Sequence, residues 1–243
     1  RWPRHARMAW GAAAGLALAL LTAWAALAWP WGWTKFQTRT GEQRAVQLAD
    51  GSIVHLNTAS RLQVRLTRES RVIRLIAGEA LFSVARDPTR PFSVKVNGSV
   101  IHAVGTQFNV YRRLHDTQVS VLEGAVSIPS GLLSAGEAAE IEDDGNVRRW
   151  RPADISQAAA WRQRRLIFHA TPLSEVVFEF NRYNGSPKIR LEGWAGPERH
   201  YTGTFDADDP ETFAKVLMEE PAVAVERTQR EIVVKPRAGG RAP

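Results

Sequence analysis

Between Ala45 and about Ile128, apolar and polar side chains alternate in short runs. Arg61-Leu62-Gln63-Val64-Arg65-Leu66 and Phe92-Ser93-Val94-Lys95-Val96 each send their apolar side chains to one face, as a half-buried antiparallel strand requires. No long helical period appears there, and turn signals divide the runs. Asp50-Gly51 and Asn97-Gly98 are hairpin dipeptides because both residues tolerate positive φ, while Gly78-Glu79 and Glu123-Gly124 interrupt neighbouring apolar runs. The pattern predicts roughly eight to ten strands, forming an all-β antiparallel domain over residues 34–128. Arg61, Arg65, Arg71 and Arg74 alternate with apolar residues and read as solvated strand faces.

Residues 129–164 change character. Pro129, Gly131, Gly136, Gly145 and Pro152 surround an acidic patch (Glu137, Glu140, Glu142, Asp143, Asp144), which predicts a connector with the acids on a solvated loop. From 165 to 236 the period alternates. Arg165 to Phe168 reads as a strand, and Thr171-Pro172-Leu173 opens a helix with a threonine N-cap that Asn184-Gly185 ends. Strands follow at Lys188 to Leu191 and Tyr201 to Phe205, and Asp209-Pro210-Glu211 starts a second helix. Val223 to Val225 and Glu231 to Lys235 complete a small α+β domain with two βαβ-like units. Leu173, Val176, Val177 and Phe180 on one helix, and Phe213, Val216 and Leu217 on the other, are spaced as core faces. Residues 237–243 read as a tail.

One segment breaks the mainly β pattern. From Met8 to Trp33 no side chain is charged, and Met8–Trp29 would make a helix of roughly 33 Å at 1.5 Å per residue, enough for a bilayer. Trp10 near one end and Trp29, Trp31 and Trp33 near the other mark the interfaces, and Pro30 closes the helix. Residues 8–33 are thus expected to be a transmembrane helix with its interfacial flank. Arg1, Arg4 and Arg7 precede the span, which places residues 1–7 in the cytoplasm as the remnant of a longer segment, and the bulk of the chain outside. The competing reading is a signal peptide cleaved after Ala28, since Ala26-Leu27-Ala28 fits the small-x-small pattern; the long apolar run weighs against it.

Composition narrows the chemistry. The chain has 243 residues and no cysteine, which removes disulfides, thiolate metal sites and cysteine nucleophiles but leaves the compartment open. The net charge of +7 suggests nucleic acid or an anionic surface. Much of it sits at the ends, on Arg1, Arg4, Arg7, Arg237 and Arg241, so no nucleic-acid partner is expected. His5, His55, His102, His115, His169 and His200 show no metal-ligand spacing, and G-x-S-x-G, Walker and G-x-G-x-x-G motifs are absent, so no metal, cofactor or turnover catalysis is expected. Gly105-Thr106 stands out in Ala103-Val104-Gly105-Thr106-Gln107-Phe108-Asn109-Val110, where glycine interrupts a strand-like run; by spacing alone it is a β-bulge.

Several ordered motifs carry a resemblance. Leu48-Ala49-Asp50-Gly51-Ser52, Leu56-Asn57-Thr58-Ala59-Ser60, Gly78-Glu79-Ala80-Leu81-Phe82 and Arg90-Pro91-Phe92 resemble the FecR family of transmembrane anti-sigma regulators. Val104 to Val110 and Val121-Leu122-Glu123-Gly124-Ala125-Val126 are similar to the family's central and closing motifs. Leu166-Ile167-Phe168, Thr171-Pro172-Leu173, Asn181-Arg182-Tyr183-Asn184 and Gly203-Thr204-Phe205 resemble its signalling-type C-terminal module.

The resemblance implies a single-pass inner-membrane regulator whose periplasmic part binds the signalling domain of a TonB-dependent outer-membrane receptor, commonly one that takes up iron-siderophore chelates. It also implies control of an extracytoplasmic-function sigma factor through a cytoplasmic segment of which only Arg1 to Arg7 are present, and relay by regulated proteolysis. Self-cleavage at Gly105-Thr106 is implied too: Thr106 Oγ would attack the Gly105 carbonyl in an N-to-O acyl shift. His102 lies on the same strand face in an extended chain, roughly 13 Å away and too far to act as base. Receptor contact is expected at an exposed strand edge of the C-terminal module, with Tyr201, Thr202, Gly203, Thr204 and Phe205 as candidates. The alternatives are a secreted β-rich binding module for envelope or glycan ligands, and a periplasmic hydrolase built on converged carboxylates.

Overall fold

The structure, a computed structural model, describes residues 32–194 and 198–237. The expected transmembrane helix, residues 8–33, lies outside the described residues except for Gly32 and Trp33. No helix among the described residues is long and apolar enough to cross a membrane. Residues from Lys35 onward cluster as one unit.

The alternating runs form strands β1 (Thr34–Gln37), β2 (Arg44–Gln47), β3 (Ile53–Leu56), β4 (Arg61–Leu66), β5 (Arg71–Ser83), β6 (Phe92–Val96) and β7 (Ser99–Ala103). They continue as β8 (Gln107–Arg112), β9 (Asp116–Glu123), β10 (Ala125–Ile128), β11 (Gly131–Ser134), β12 (Ala138–Glu142) and β13 (Val147–Trp150). Two layers share the long strand β5. Its first half pairs with β4 and, in parallel, with β6, and that layer continues through β7 and β10 to β11. Its second half pairs with β3 and β8, and the other layer runs from β2 through β9 and β12 to β13. Gly78 sits where β5 changes layers. Its φ is +79°, and a Cβ there would lie 2.3 Å from Ser60 Oγ, so the bend requires glycine. The layers close over one apolar core, in which the Phe82 ring stacks on Phe108 at 5.2 Å and meets Phe92 of the opposite layer edge-on at 6.1 Å.

Two readings of this region change. Residues 129–150 are strands β11 to β13 rather than a connector. Ala138, Ala139 and Ile141 are buried, while Glu140 faces out to Arg148 and Glu137 to Arg149 and Arg151, so the acidic side chains decorate a strand and its turns. Arg71 is fully buried rather than on a solvated face. Its guanidinium meets Asp50 at 3.0 Å, donates to the carbonyls of Ala85, Asp87 and Arg90, and lies over the Phe92 ring. Burying that charge is tolerated because its donors are used.

A 3-10 helix (Ile155–Gln163) leads into β14 (Arg165–Pro172), α1 (Leu173–Tyr183), β15 (Lys188–Leu191), β16 (His200–Asp206), α2 (Pro210–Met218), β17 (Val223–Arg227) and β18 (Glu231–Pro236). This module is α+β as expected, but its strands do not form simple βαβ units. β14 pairs antiparallel with β16, and β15 pairs in parallel with β18, which pairs antiparallel with β17. Each helix therefore connects strands of two different sheets. The N-cap of α2 is Asp209, whose carboxylate accepts from Thr212 N. Thr171, by contrast, does not cap α1. A bulge at Ala170 (φ 46°) carries β14 on, so Thr171 pairs with Tyr201 and its hydroxyl accepts from His169 N. Val216 is exposed, because the α2 stripe that faces the core is Phe213, Ala214 and Leu217.

Candidate functional site

The second layer has an outer face, and the C-terminal module is docked on it. Leu81 of β5 points outward into the module's core beside Trp161, Phe168 and Phe180. Around it stand Asn57 after β3, Glu79 on β5, and Asn109 and Tyr111 on β8; β5 and β8 pair Glu79 with Tyr111. From α1 come Glu179, Arg182 and Tyr183. The side chain of Glu79 is buried and accepts from Asn57 Nδ2 at 2.7 Å, Asn109 Nδ2 at 2.9 Å and Arg182 Nη2 at 3.3 Å. Arg182 Nη1 donates to Glu179 at 2.7 Å, and the Tyr111 hydroxyl donates to the other Glu179 oxygen at 2.6 Å. The Arg182 guanidinium lies 4.2 Å from the Tyr111 ring centroid. Asn57 Nδ2 also donates to the Tyr183 hydroxyl at 2.6 Å, Thr58 Oγ1 to the Arg182 carbonyl at 2.7 Å, and Trp161 Nε1 to Asn109 Oδ1 at 3.2 Å.

Burial pushes the Glu79 carboxyl above the usual carboxylate range, Arg182 opposes that, and Glu179 reinforces it. Burial works against the Arg182 charge, yet the carboxylates of Glu179 and Glu79 hold its pKa above the ordinary arginine value. Burial and the Glu179 charge push the Tyr111 hydroxyl up. At the rim, Arg113 meets Glu175 at 3.0 Å, and Arg164 pairs with Asp208 and donates to the Gly41 carbonyl at 2.9 Å. The arrangement is a charged junction, satisfied within itself, that holds the C-terminal module against the β domain. Sequence reading quoted Asn57, Glu79, Asn109 and Arg182 only as parts of separate motifs; the fold brings all four to one point.

The other candidates lie elsewhere. Gly105 (φ +67°) and Thr106 turn between β7 and β8, and a Cβ on Gly105 would stand 2.9 Å from Arg86 Cβ. Thr106 is buried and its Oγ1 has no hydrogen-bond partner. His102 is not on its face: it is exposed, with Nδ1 3.0 Å from Ser93 Oγ. Of the five residues proposed for the partner edge, Tyr201 is buried, Thr202 and Thr204 are exposed, and Gly203 lies under the Phe205 ring. β16 pairs with β14 alone among the described residues, which leaves its second edge open. No cluster of metal-ligating side chains occurs among the described residues.

Residues 34–127 match the family model described as FecR protein. Two crystal structures of a "putative anti-sigma factor" from Parabacteroides distasonis ATCC 8503 are similar in fold over nearly the whole described chain. One has 26% identity and a TM-score of 0.74, covering 84% of this chain and 100% of that one. The other has 25% identity and a TM-score of 0.75, covering 85% and 100%. No curated protein matches the chain. The likeness to these structures extends beyond the family match into the α+β module, while the similarity to the FecR family is carried by the β domain at residues 34–127.

Proposed function

We propose that this protein is a single-pass inner-membrane regulator of an extracytoplasmic-function sigma factor, which its docked periplasmic domains couple to an outer-membrane receptor. The carrying observation is the junction of Glu79, Arg182 and Glu179, which makes the C-terminal module an extension of the FecR domain and gives force or binding at one a route to the other. The match of residues 34–127 to the FecR family model and the likeness to a protein described as a putative anti-sigma factor support the sigma-regulating role. The uncharged stretch Met8–Trp29 behind Arg1, Arg4 and Arg7 supports the membrane span and its orientation. The receptor is of the TonB-dependent class, and its signalling domain adds a strand to the open edge of β16 at Tyr201–Phe205.

The protein works by binding and regulated proteolysis, without turnover. In the self-cleavage step Thr106 Oγ attacks the Gly105 carbonyl carbon and the Gly105–Thr106 C–N bond breaks. The hydroxyl proton passes to the released Thr106 amine, and water then hydrolyses the ester to a Gly105 carboxylate and a free threonine hydroxyl. The positive φ of Gly105 and the buried, unpartnered hydroxyl of Thr106 support this step.

Co-purification of the native protein should recover a sigma factor and an outer-membrane receptor, and deletion of residues 165–236 should lose the receptor alone. Recovery of neither partner, or a protein released from membranes by carbonate, overturns the reading. Intact mass and N-terminal sequencing test the cleavage: a mature protein uncut between 105 and 106 removes that step.

A further inference from the structure

Beside the junction, the outer face of the second layer stays open. A cavity of about 720 Å³ lies between it, the 3-10 helix and β14. That is the size of a small-molecule site. Its apolar lining comes from Leu122, Ile167 and Trp161, and its basic lining from Arg162 of the 3-10 helix and Arg165 of β14. Elsewhere Arg113, Arg164 and Arg199 each meet a carboxylate. Arg162 and Arg165 have neither a carboxylate nor a side-chain hydrogen bond among the described residues. The one carboxylate in the lining, Asp154, is engaged as the helix N-cap, accepting from Ser156 N. His55 also lines the cavity; burial, and then the charge of Arg162, keep its imidazole below the usual histidine pKa, so it offers hydrogen bonds without adding charge at neutral pH.

We propose that this cavity binds a small organic anion, its acidic head at the two arginines and its apolar body against Leu122 and Ile167. Two cations without carboxylate partners beside an apolar hollow complement an amphipathic acid, and a guanidinium matches a carboxylate in both charge and shape. Because the lining comes from the β domain, the 3-10 helix and β14 together, a bound anion bridges the two modules and stabilises their docked arrangement by mass action. This regulation is additional to receptor docking at β16 and does not depend on it.

Titration of the full chain in neutral detergent, read by ligand-observed NMR, tests the site with a matched pair of probes: 3-phenylpropionate and its uncharged amide. The acid should bind and the amide should bind at least about tenfold more weakly, the loss expected from removing a charge-assisted hydrogen bond. Arg162→Ala with Arg165→Ala should bring the acid down to the level of the amide without moving the thermal midpoint, and the corresponding double lysine variant should keep part of the preference. Ala45→Trp, at an exposed position lining the cavity, should block both probes and decides the matter if the double alanine variant fails to fold. Equal binding of acid and amide, undiminished acid binding by the double alanine variant or by Ala45→Trp, or no acid binding at millimolar concentration overturns the proposal.

Discussion

Glu79 shares a buried space with a second carboxylate, Glu179, and with the single guanidinium of Arg182 that bridges them. Removing that cation leaves two carboxylates facing each other away from water. Arg182→Ala should therefore cost about 3–5 kcal/mol in denaturant unfolding; a loss below about 1 kcal/mol would show that the junction is solvated. The raised Glu79 pKa sets the direction of a pH effect. A carboxyl whose folded pKa lies above its unfolded one contributes stability at acid pH and loses it as pH rises through the folded value. The stability of the wild type relative to Glu79→Gln should accordingly be greatest near pH 4 and shrink as pH rises. A difference that grows with pH would reverse the assignment.

At the scale of elements, side chains that look alike in sequence do different work. Asp209 caps α2, so Asp209→Ala should cost about 1 kcal/mol. Thr171 continues β14 instead of capping α1, and Thr171→Ala should stay within about 0.5 kcal/mol in the same assay. β12 gives a third comparison. Ile141 is buried between acidic neighbours on a strand paired on both sides, so Ile141→Ala should cost about 2–4 kcal/mol. A near-neutral result would restore residues 129–150 to the role of a connector.

For the molecule as a whole, Leu81 joins the second core, Glu79 meets Arg182, and Gln43 donates to the Trp161 carbonyl at 2.7 Å, so the β domain and the C-terminal module share buried contacts in several places. The two should unfold in one calorimetric transition, and Arg182→Ala should separate them into two or expose residues 150–165 to limited proteolysis. A wild type that already melts in two steps would mean that docking is weak, and would weaken the idea that a pull on one module is felt by the other.

The amino-acid pattern by itself determined the strand-rich domain, its Asn97-Gly98 hairpin, both helices of the second module and the family resemblance. Alternation, turn dipeptides and helical spacing are local properties that no distant contact is needed to read. Arg71 and the acids of β12 were misread for the complementary reason: charge predicts exposure unless a partner waits in space, and Asp50 lies twenty-one residues from Arg71 in sequence. The junction was hidden in the same way. Asn57, Glu79, Asn109 and Arg182 span more than a hundred residues, and only the stacking of α1 on the outer face of the second layer brings them within hydrogen-bonding distance, where a buried carboxylate needs its guanidinium.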